Sequence, residues 1–380
     1  MISKSDYKIY LESPRHFWAL KNNQYYDQLS DFAKHLISTG YEVEETAKEY
    51  ISKHVSNSYE YQKRLIHNDL ECIIDFFVYN KEDDAYCIYE VKSSTKLSEE
   101  YINDLGFQYI IASKLFKISK LNLVHLDSEY IMDDKLDLAG VFRVQDITQR
   151  VLEKVKEIEN DIEKMREISN MTEYNPLDIC YKPKTCPCKE ICFPNLIEDN
   201  IYKLANIHKS ALQELNRLNI SNMLDIPEDF KLGKRQRLQI LSLRNRQPVI
   251  NREGIKLELS RLKYPLYFLD YEAFSWAIPK YKGHRVYQNI VFQYSLHKLE
   301  QGSNKLIHYE YISENKEDIS REVIPQLLKE IQTEGTILVW NKAFEKGCNR
   351  EMARLYPEYK NQLLDLNNRM YDLGDIFAKQ

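Results

Sequence analysis

Glycine and proline are scarce in this chain of 380 residues, at 10 and 11, so long flexible linkers are not expected. No apolar run approaches the roughly 18 residues of a membrane span, and the opening MISKSDYKIY lacks the apolar core of a signal peptide. These absences point to a cytoplasmic protein without a membrane partner. Neither sign of charge dominates: 53 Lys and Arg stand against 58 Asp and Glu. That balance excludes a uniformly cationic binder while leaving room for local basic patches. There is no internal repeat and no low-complexity tract. A single domain is not expected either, because one core stops growing before about 300 residues.

Cysteine, by contrast, is concentrated. Of seven cysteines, Cys180, Cys186, Cys188 and Cys192 fall within 13 residues. In a reducing compartment such clustering points to metal before disulfide. Four thiolates suffice for tetrahedral zinc or for a [4Fe–4S] cluster, although the spacing is that of neither a zinc ribbon nor a ferredoxin.

Hydrophobic rhythm predicts helices over residues 1–60, then strands at 72–79 and 86–92 joined by a polar hairpin turn. A helix over about 98–116, a strand near 121–126 and an amphipathic helix over 148–168 follow. Residues 201–263 read as a helical connector, with a turn at 218–220 built on Asn219, one of the few residue types that tolerate a left-handed backbone. Between Lys231 and Lys263 there are ten Lys and Arg against two Glu, a surface suited to phosphate. From 264 onward, strands at 264–274, 289–299 and 305–312, a helix over 318–331, a strand at 336–340 and a helix predict a second α/β domain. The expected division is therefore 1–200, 201–263 and 264–380.

Two constellations carry chemistry. In YCIYEVK, Glu90 and Lys92 share one face of a strand, and Asp75 in the preceding apolar strand can lie beside them if the hairpin forms. A buried carboxylate needs a partner or a metal. Two carboxylates holding a divalent cation, with an ammonium beside the bound water, make a site for phosphodiester hydrolysis. Gln108, on the apolar stripe 101, 105, 108, 112, 115 of the next helix, is an amide in need of a partner and can reach that site. In YPLYFLDYEAF, Asp270 and Glu272 share a strand face among apolar neighbours, and Glu345 opens a helix after the strand TILVW. Three such carboxylates can hold two cations for in-line attack on a phosphodiester.

At the first constellation the chain resembles the PD-(D/E)XK nucleases of the RecB type, including the CRISPR-adaptation nucleases. The likeness rests on Asp75, EVKSST from Glu90, the glutamine of LGFQY, the opening SKSDYKIYLESPRHFW and GYEVEETA at Gly40, in order, and covers residues 1–195. It implies a restriction-endonuclease-like α/β core with added helices, Asp75 and Glu90 as ligands of Mg²⁺ or Mn²⁺, Lys92 as catalytic, Gln108 as accessory, and Glu44 as a weaker candidate. Several such nucleases hold an iron–sulfur cluster with three late cysteines and one near the start; here Ser13 stands at that early position. The resemblance thus favours [4Fe–4S] over Zn²⁺ at Cys180, Cys186, Cys188 and Cys192.

The second constellation resembles DnaQ-like 3′–5′ exonucleases of the ribonuclease-H-like fold. Asp270-x-Glu272 matches their first motif, WNKAFE their second with Glu345 in place of aspartate, and RMYDLGDIF with Asp372 the stretch beyond. The last motif of that family has no counterpart before Gln380, so a partial, truncated domain is expected. Together with GHRVYQNIVFQYSLH, where Gln288, Gln293 and Ser295 are candidate substrate contacts, the chain resembles an uncharacterised bacterial family that couples the two modules. The resemblance implies a metal-dependent nuclease acting on DNA rather than RNA. The alternatives are a nucleic-acid-binding scaffold with idle acidic sites and an RNA-directed 3′–5′ exonuclease.

Overall fold

A computed structural model describes residues 1–26, 30–175, 177–315 and 318–379. The chain begins with β1 (Ile2–Ser3), α1 (Lys4–Glu12), α2 (Pro14–Lys21) and α3 (Asp31–His54). Next come β2 (Tyr59–His67), β3 (Leu70–Asn80), β4 (Ala85–Lys92), α4 (Glu99–Leu115) and β5 (Ile118–Leu126). After α5 (Leu138–Val141) and β6 (Phe142–Asp146) run α6 (Thr148–Ser169), the short α7 (Lys189–Cys192), α8 (Lys209–Arg217), α9 (Lys234–Asn245) and α10 (Arg252–Ser260). The last part holds β7 (Leu266–Phe274), β8 (Ile290–Leu299), β9 (Leu306–Ile312), α11 (Ile319–Glu330), β10 (Thr336–Val339), α12 (Lys342–Leu355), α13 (Lys360–Arg369), β11 (Met370–Asp372) and α14 (Gly374–Lys379). No helix among the described residues is long and apolar enough to cross a membrane.

The chain divides into two compact units, one of residues 1–125 and 144–250, the other of 126–143 and 251–380. The basic helical stretch is thereby split, α9 going with the first unit and α10 with the second.

In the first unit β3 is the hub of a mixed sheet. One edge pairs along its length with antiparallel β2; the other meets parallel β1 at its start and antiparallel β4 at its end. β4 then pairs in parallel with β5. Alternation makes the sheet two-faced: Phe77 and Ile88 face a core of Tyr7, Phe17, Leu105, Phe107, Val151 and Ile158 contributed by α1, α2, α4 and α6. The paired charges of β3 and β4 are thus held on rigid, internal strands. Leu115, the last residue of the expected stripe on α4, is exposed where the helix ends. β2 escapes sequence reading because its apolar residues are few, and its burial alternates only weakly. Asn219 does take a left-handed backbone, at φ 55, directly after α8.

The second unit carries a five-stranded mixed sheet in the order β11-β10-β7-β8-β9. β7 is central: it pairs in parallel with β10, and β10 in parallel with β11, while β8 and β9 continue antiparallel. Tyr267, Leu269 and Tyr271 turn toward a core with Val323, Leu327, Met352 and Leu363 from α11, α12 and α13. The intervening Asp270 and Glu272 point the other way and are exposed.

Candidate functional site

The β3–β4 register pairs Phe76 with Tyr89 and Phe77 with Ile88, so the next step brings Asp75 opposite Glu90. The Val91 amide donates to Asp75 Oδ2 at 2.8 Å, closing that contact. Glu90 is buried and fully engaged. Lys92 and Lys4 both donate to its Oε1 at 2.8 Å, and Gln108 donates to Oε2 at 2.7 Å. Gln108 also donates to the Ile73 carbonyl at 3.0 Å, which fixes the amide's orientation, while its Oε1 is buried without a hydrogen-bond partner. Lys92 reaches Asp104 Oδ2 at 2.6 Å, and Lys8 lies 3.2 Å from the same oxygen. All four residues named from sequence for this site therefore converge.

Asp104 and Lys4 were not expected. Asp104 stands one turn before Gln108 on α4, a buried acid on an otherwise apolar face, and that spacing was readable. Lys4 opens α1 and had no such signal. Glu44 on α3 accepts from Tyr61 at 3.0 Å and from Gln62, and its charge reaches Asp75.

Electrostatics separate the two candidate ligands. Burial, followed by the charge of Glu90, pushes the Asp75 carboxyl up to about 8. Burial acts to raise Glu90 as well, but the Lys92 and Lys4 ammonium groups outweigh it and bring it down to about 2. A cation bound between them must therefore displace one proton, from Asp75, below that pH. If these carboxylates hold Mn²⁺, its affinity should rise with pH through the range, above that of an ordinary carboxyl, in which Asp75 gives up its proton. Titration calorimetry at pH 6 in two buffers of different ionisation enthalpy would read that proton; pH-independent affinity would contradict it.

In the second unit, antiparallel pairing sets Asp270 opposite Ser295 and Glu272 opposite Gln293. Glu345, in the first turn of α12, is buried, and its Oε2 has no hydrogen-bond partner. Burial raises its pKa, with Asp270 and Asp372 adding to the effect. Asp372 at the end of β11 accepts from the amides of Lys342 and Gly374, both at 2.9 Å, and so ties the start of α12 to the sheet. The groups acting on Glu345 are thus Asp270 and Asp372; Glu272 shares the face of Asp270 but is not among them. Gln288 serves the scaffold, accepting from the Arg285 amide at 3.0 Å and from Arg354 at 2.6 Å.

The cysteine segment forms a third centre. Side-chain donor atoms of His16, Cys180, Cys186 and Cys192 all lie within 4.8 Å of one another, a grouping that can hold a metal ion. His16 joins three of the four cysteines expected from sequence, and the fourth, Cys188, lies against them, its sulfur 3.8 Å from that of Cys192 and hydrogen-bonded with Cys186 and His16. The reason is the docking of α2. Ser13 caps that helix and donates to the Asp178 carbonyl at 2.8 Å, and Arg15 donates to the Leu177 carbonyl at 2.6 Å. In the first turn of α2, His16 then faces the cysteines with Nε2 3.4 Å from Cys186 Sγ, while its Nδ1 lies 3.4 Å from a Glu12 carboxylate oxygen without hydrogen-bonding to it. Hydrogen bonding with Cys180 and Cys188 brings the Cys186 thiol down to about 5, toward the thiolate that a metal requires. A cavity of about 580 Å³, lined by His16, Cys186, Lys182 and Lys209 among others, opens beside the group.

A domain of unknown function, DUF2779, matches residues 267–380, the part of the chain from β7 onward. Comparison with curated proteins gives no match.

Proposed function

We propose that this protein is a metal-dependent nuclease that hydrolyses phosphodiester bonds of DNA at the β3–β4 site. The observation that carries the reading is the convergence of Asp75, Glu90 and Lys92, with Gln108 behind them, in a site where Glu90 is buried. Asp75 and Glu90 would hold Mg²⁺ or Mn²⁺, which lowers the pKa of a bound water and offsets charge on the phosphate. Lys92, held by Glu90 and Asp104, would orient that water. Gln108 fixes the Glu90 carboxylate. The order β2-β3-β4-β5 with its antiparallel hairpins and parallel last pair supports a PD-(D/E)XK core. The order and directions of the second sheet, with acidic residues on its central strand, support a ribonuclease-H-like domain. The six basic side chains between Lys231 and Arg246 in the first unit are all exposed, as a phosphate-contacting surface requires, and so within the second unit are the four between Arg252 and Lys263.

The test is direct. Wild-type chain is expected to cleave DNA in Mn²⁺, and Lys92→Ala to bind DNA while losing about a hundredfold or more in rate, the range of a positioned acid–base group. Wild type that leaves DNA and RNA intact in both metals returns the protein to the scaffold reading.

For the third centre we infer a structural zinc ion on His16, Cys180, Cys186 and Cys192. At a metal–sulfur distance of about 2.3 Å, sulfurs around one tetrahedral ion stand about 3.8 Å apart. Donor atoms all within 4.8 Å suit that arrangement. A four-iron cluster attaches each sulfur to a different iron and needs wider spacing.

A further inference from the structure

Lys4 has a role that the nuclease reading leaves unexplained. Its backbone is fixed twice: Ser3 pairs with Glu71 in the sheet, and Ser3 and Asp6 exchange hydrogen bonds of 3.1 and 3.0 Å as the cap of α1. Only the side chain is free to move, and it ends 2.8 Å from Glu90 Oε1, the oxygen that Lys92 also contacts. Lys92 is held a second time, by Asp104, whereas among the described residues Glu90 is the one carboxylate in ion-pair contact with Lys4.

The same lysine lines a cleft of about 550 Å³ that runs from Asp75 past Gln62, Arg64 and Ser5. Opposite Asp75, between the pairs Tyr61–Phe76 and Lys63–Ile74 and without a shift of register, Gln62 takes a left-handed backbone at φ 52, a costly conformation for a residue with a side chain. Arg64, exposed on the cleft wall, adds a second cation, paired at 2.5 Å with Glu71, which lines the same cleft.

Charge decides what Lys4 does. Asp75, Glu90 and Asp104 lie close together, and in the cation-free state Lys4, Lys92 and Lys8 make ion pairs with Glu90 and Asp104. A divalent ion on Asp75 and Glu90 supplies two positive charges at the position where Lys4 now donates, so the ammonium is repelled by the ion and no longer needed by Glu90. The flexible four-carbon stem can carry it into the cleft.

We propose that Lys4 is a placeholder cation: it occupies the Glu90 oxygen until a divalent ion arrives, then swings into the Gln62–Arg64 cleft to bind a backbone phosphate of the substrate. The proposal rests on the nuclease reading of this site for its second half only.

The full-length chain and its Lys4→Met and Lys4→Arg variants test it. Mn²⁺ binding alone, followed by electron paramagnetic resonance of the free ion, should be about fivefold tighter in Lys4→Met, because no ammonium competes for the carboxylate. The KM for a DNA duplex should rise about tenfold in the same variant with kcat within about twofold, the loss of one charge-assisted phosphate contact. Lys4→Arg should restore the KM. Mn²⁺ binding that is unchanged or weaker in Lys4→Met overturns the placeholder, and an unchanged KM overturns the phosphate contact. A wild-type chain that binds Mn²⁺ but cleaves nothing removes the nuclease reading and the phosphate half with it, while the Mn²⁺ comparison still decides the placeholder.

Discussion

Replacing Glu90 by alanine is expected to abolish Mn²⁺-dependent cleavage and to cost about 3 kcal/mol of folding stability, read as a lowered urea midpoint. Both effects come from the same atoms. Glu90 accepts from Lys4, Lys92 and Gln108 at once, and it is almost wholly removed from water. Removing one partner of a buried ion pair costs about 3–5 kcal/mol because the other charge stays desolvated. Lys92 retains Asp104, so the loss falls toward the lower end. Adding Lys4→Met to Glu90→Ala should recover part of the stability, since the ammonium left without a partner disappears with it; a fully additive double variant would contradict this.

The pH dependence has a fixed sign. Glu90 titrates at about 2 in the fold against 4.5 ordinarily, so its contribution is present above pH 4.5 and is lost as pH falls through 4.5 toward 2. The stability gap between wild type and Glu90→Ala should therefore close over that window. Cleavage, by contrast, should stay lost at every pH. A loss of about a thousandfold or more follows if the cation contributes several kcal/mol to the transition state, at about 1.4 kcal/mol per factor of ten.

The second large effect concerns His16. His16→Ala is expected to leave the purified chain without the proposed zinc after dialysis against a mild chelator, and to lower the melting temperature by about 6–12 °C if about 3 kcal/mol is lost. A metal held by donors from α2 and from residues 180–192 would tie together segments far apart in sequence, and losing one ligand would release that tie. His16→Cys should keep a metal. Elemental analysis and a visible spectrum decide the matter. Iron with sulfide in equal amount would reinstate the cluster implied by the RecB-type likeness, and a chain that retains zinc without His16 would remove that residue from the site.

Much of the first site was legible because strand alternation is a strict code. Glu90 and Lys92 in YCIYEVK, and Asp75 in an apolar run one hairpin earlier, had to share a face once the turn formed. The acid at Asp104 was equally readable, one turn from Gln108. Lys4 was not, because a lysine in a polar opening segment signals only solvent until the sheet captures Ser3. His16 was hidden for a related reason. The cysteines drew attention to four thiolates, whereas the partner that completes the group comes from a helix about 170 residues earlier, positioned by backbone contacts of Ser13 and Arg15 that no spacing rule encodes. In the second unit the order of strands followed from the sequence up to β10. The short β11 was too brief to register, and with it the link between Asp372 and the start of α12.

The docking of α2 has a consequence for biosynthesis. Ser13, Arg15 and Trp18 hand their hydrogen bonds to carbonyls at 171–191, so α2 lacks these partners until that stretch has left the ribosome. At about 5–20 residues per second, Phe17 and Trp18 wait on the order of ten to thirty seconds with their apolar rings uncovered. A nascent chain of this protein stalled before residue 170 should be a strong client for holding chaperones, and one stalled well beyond 192 a weak one.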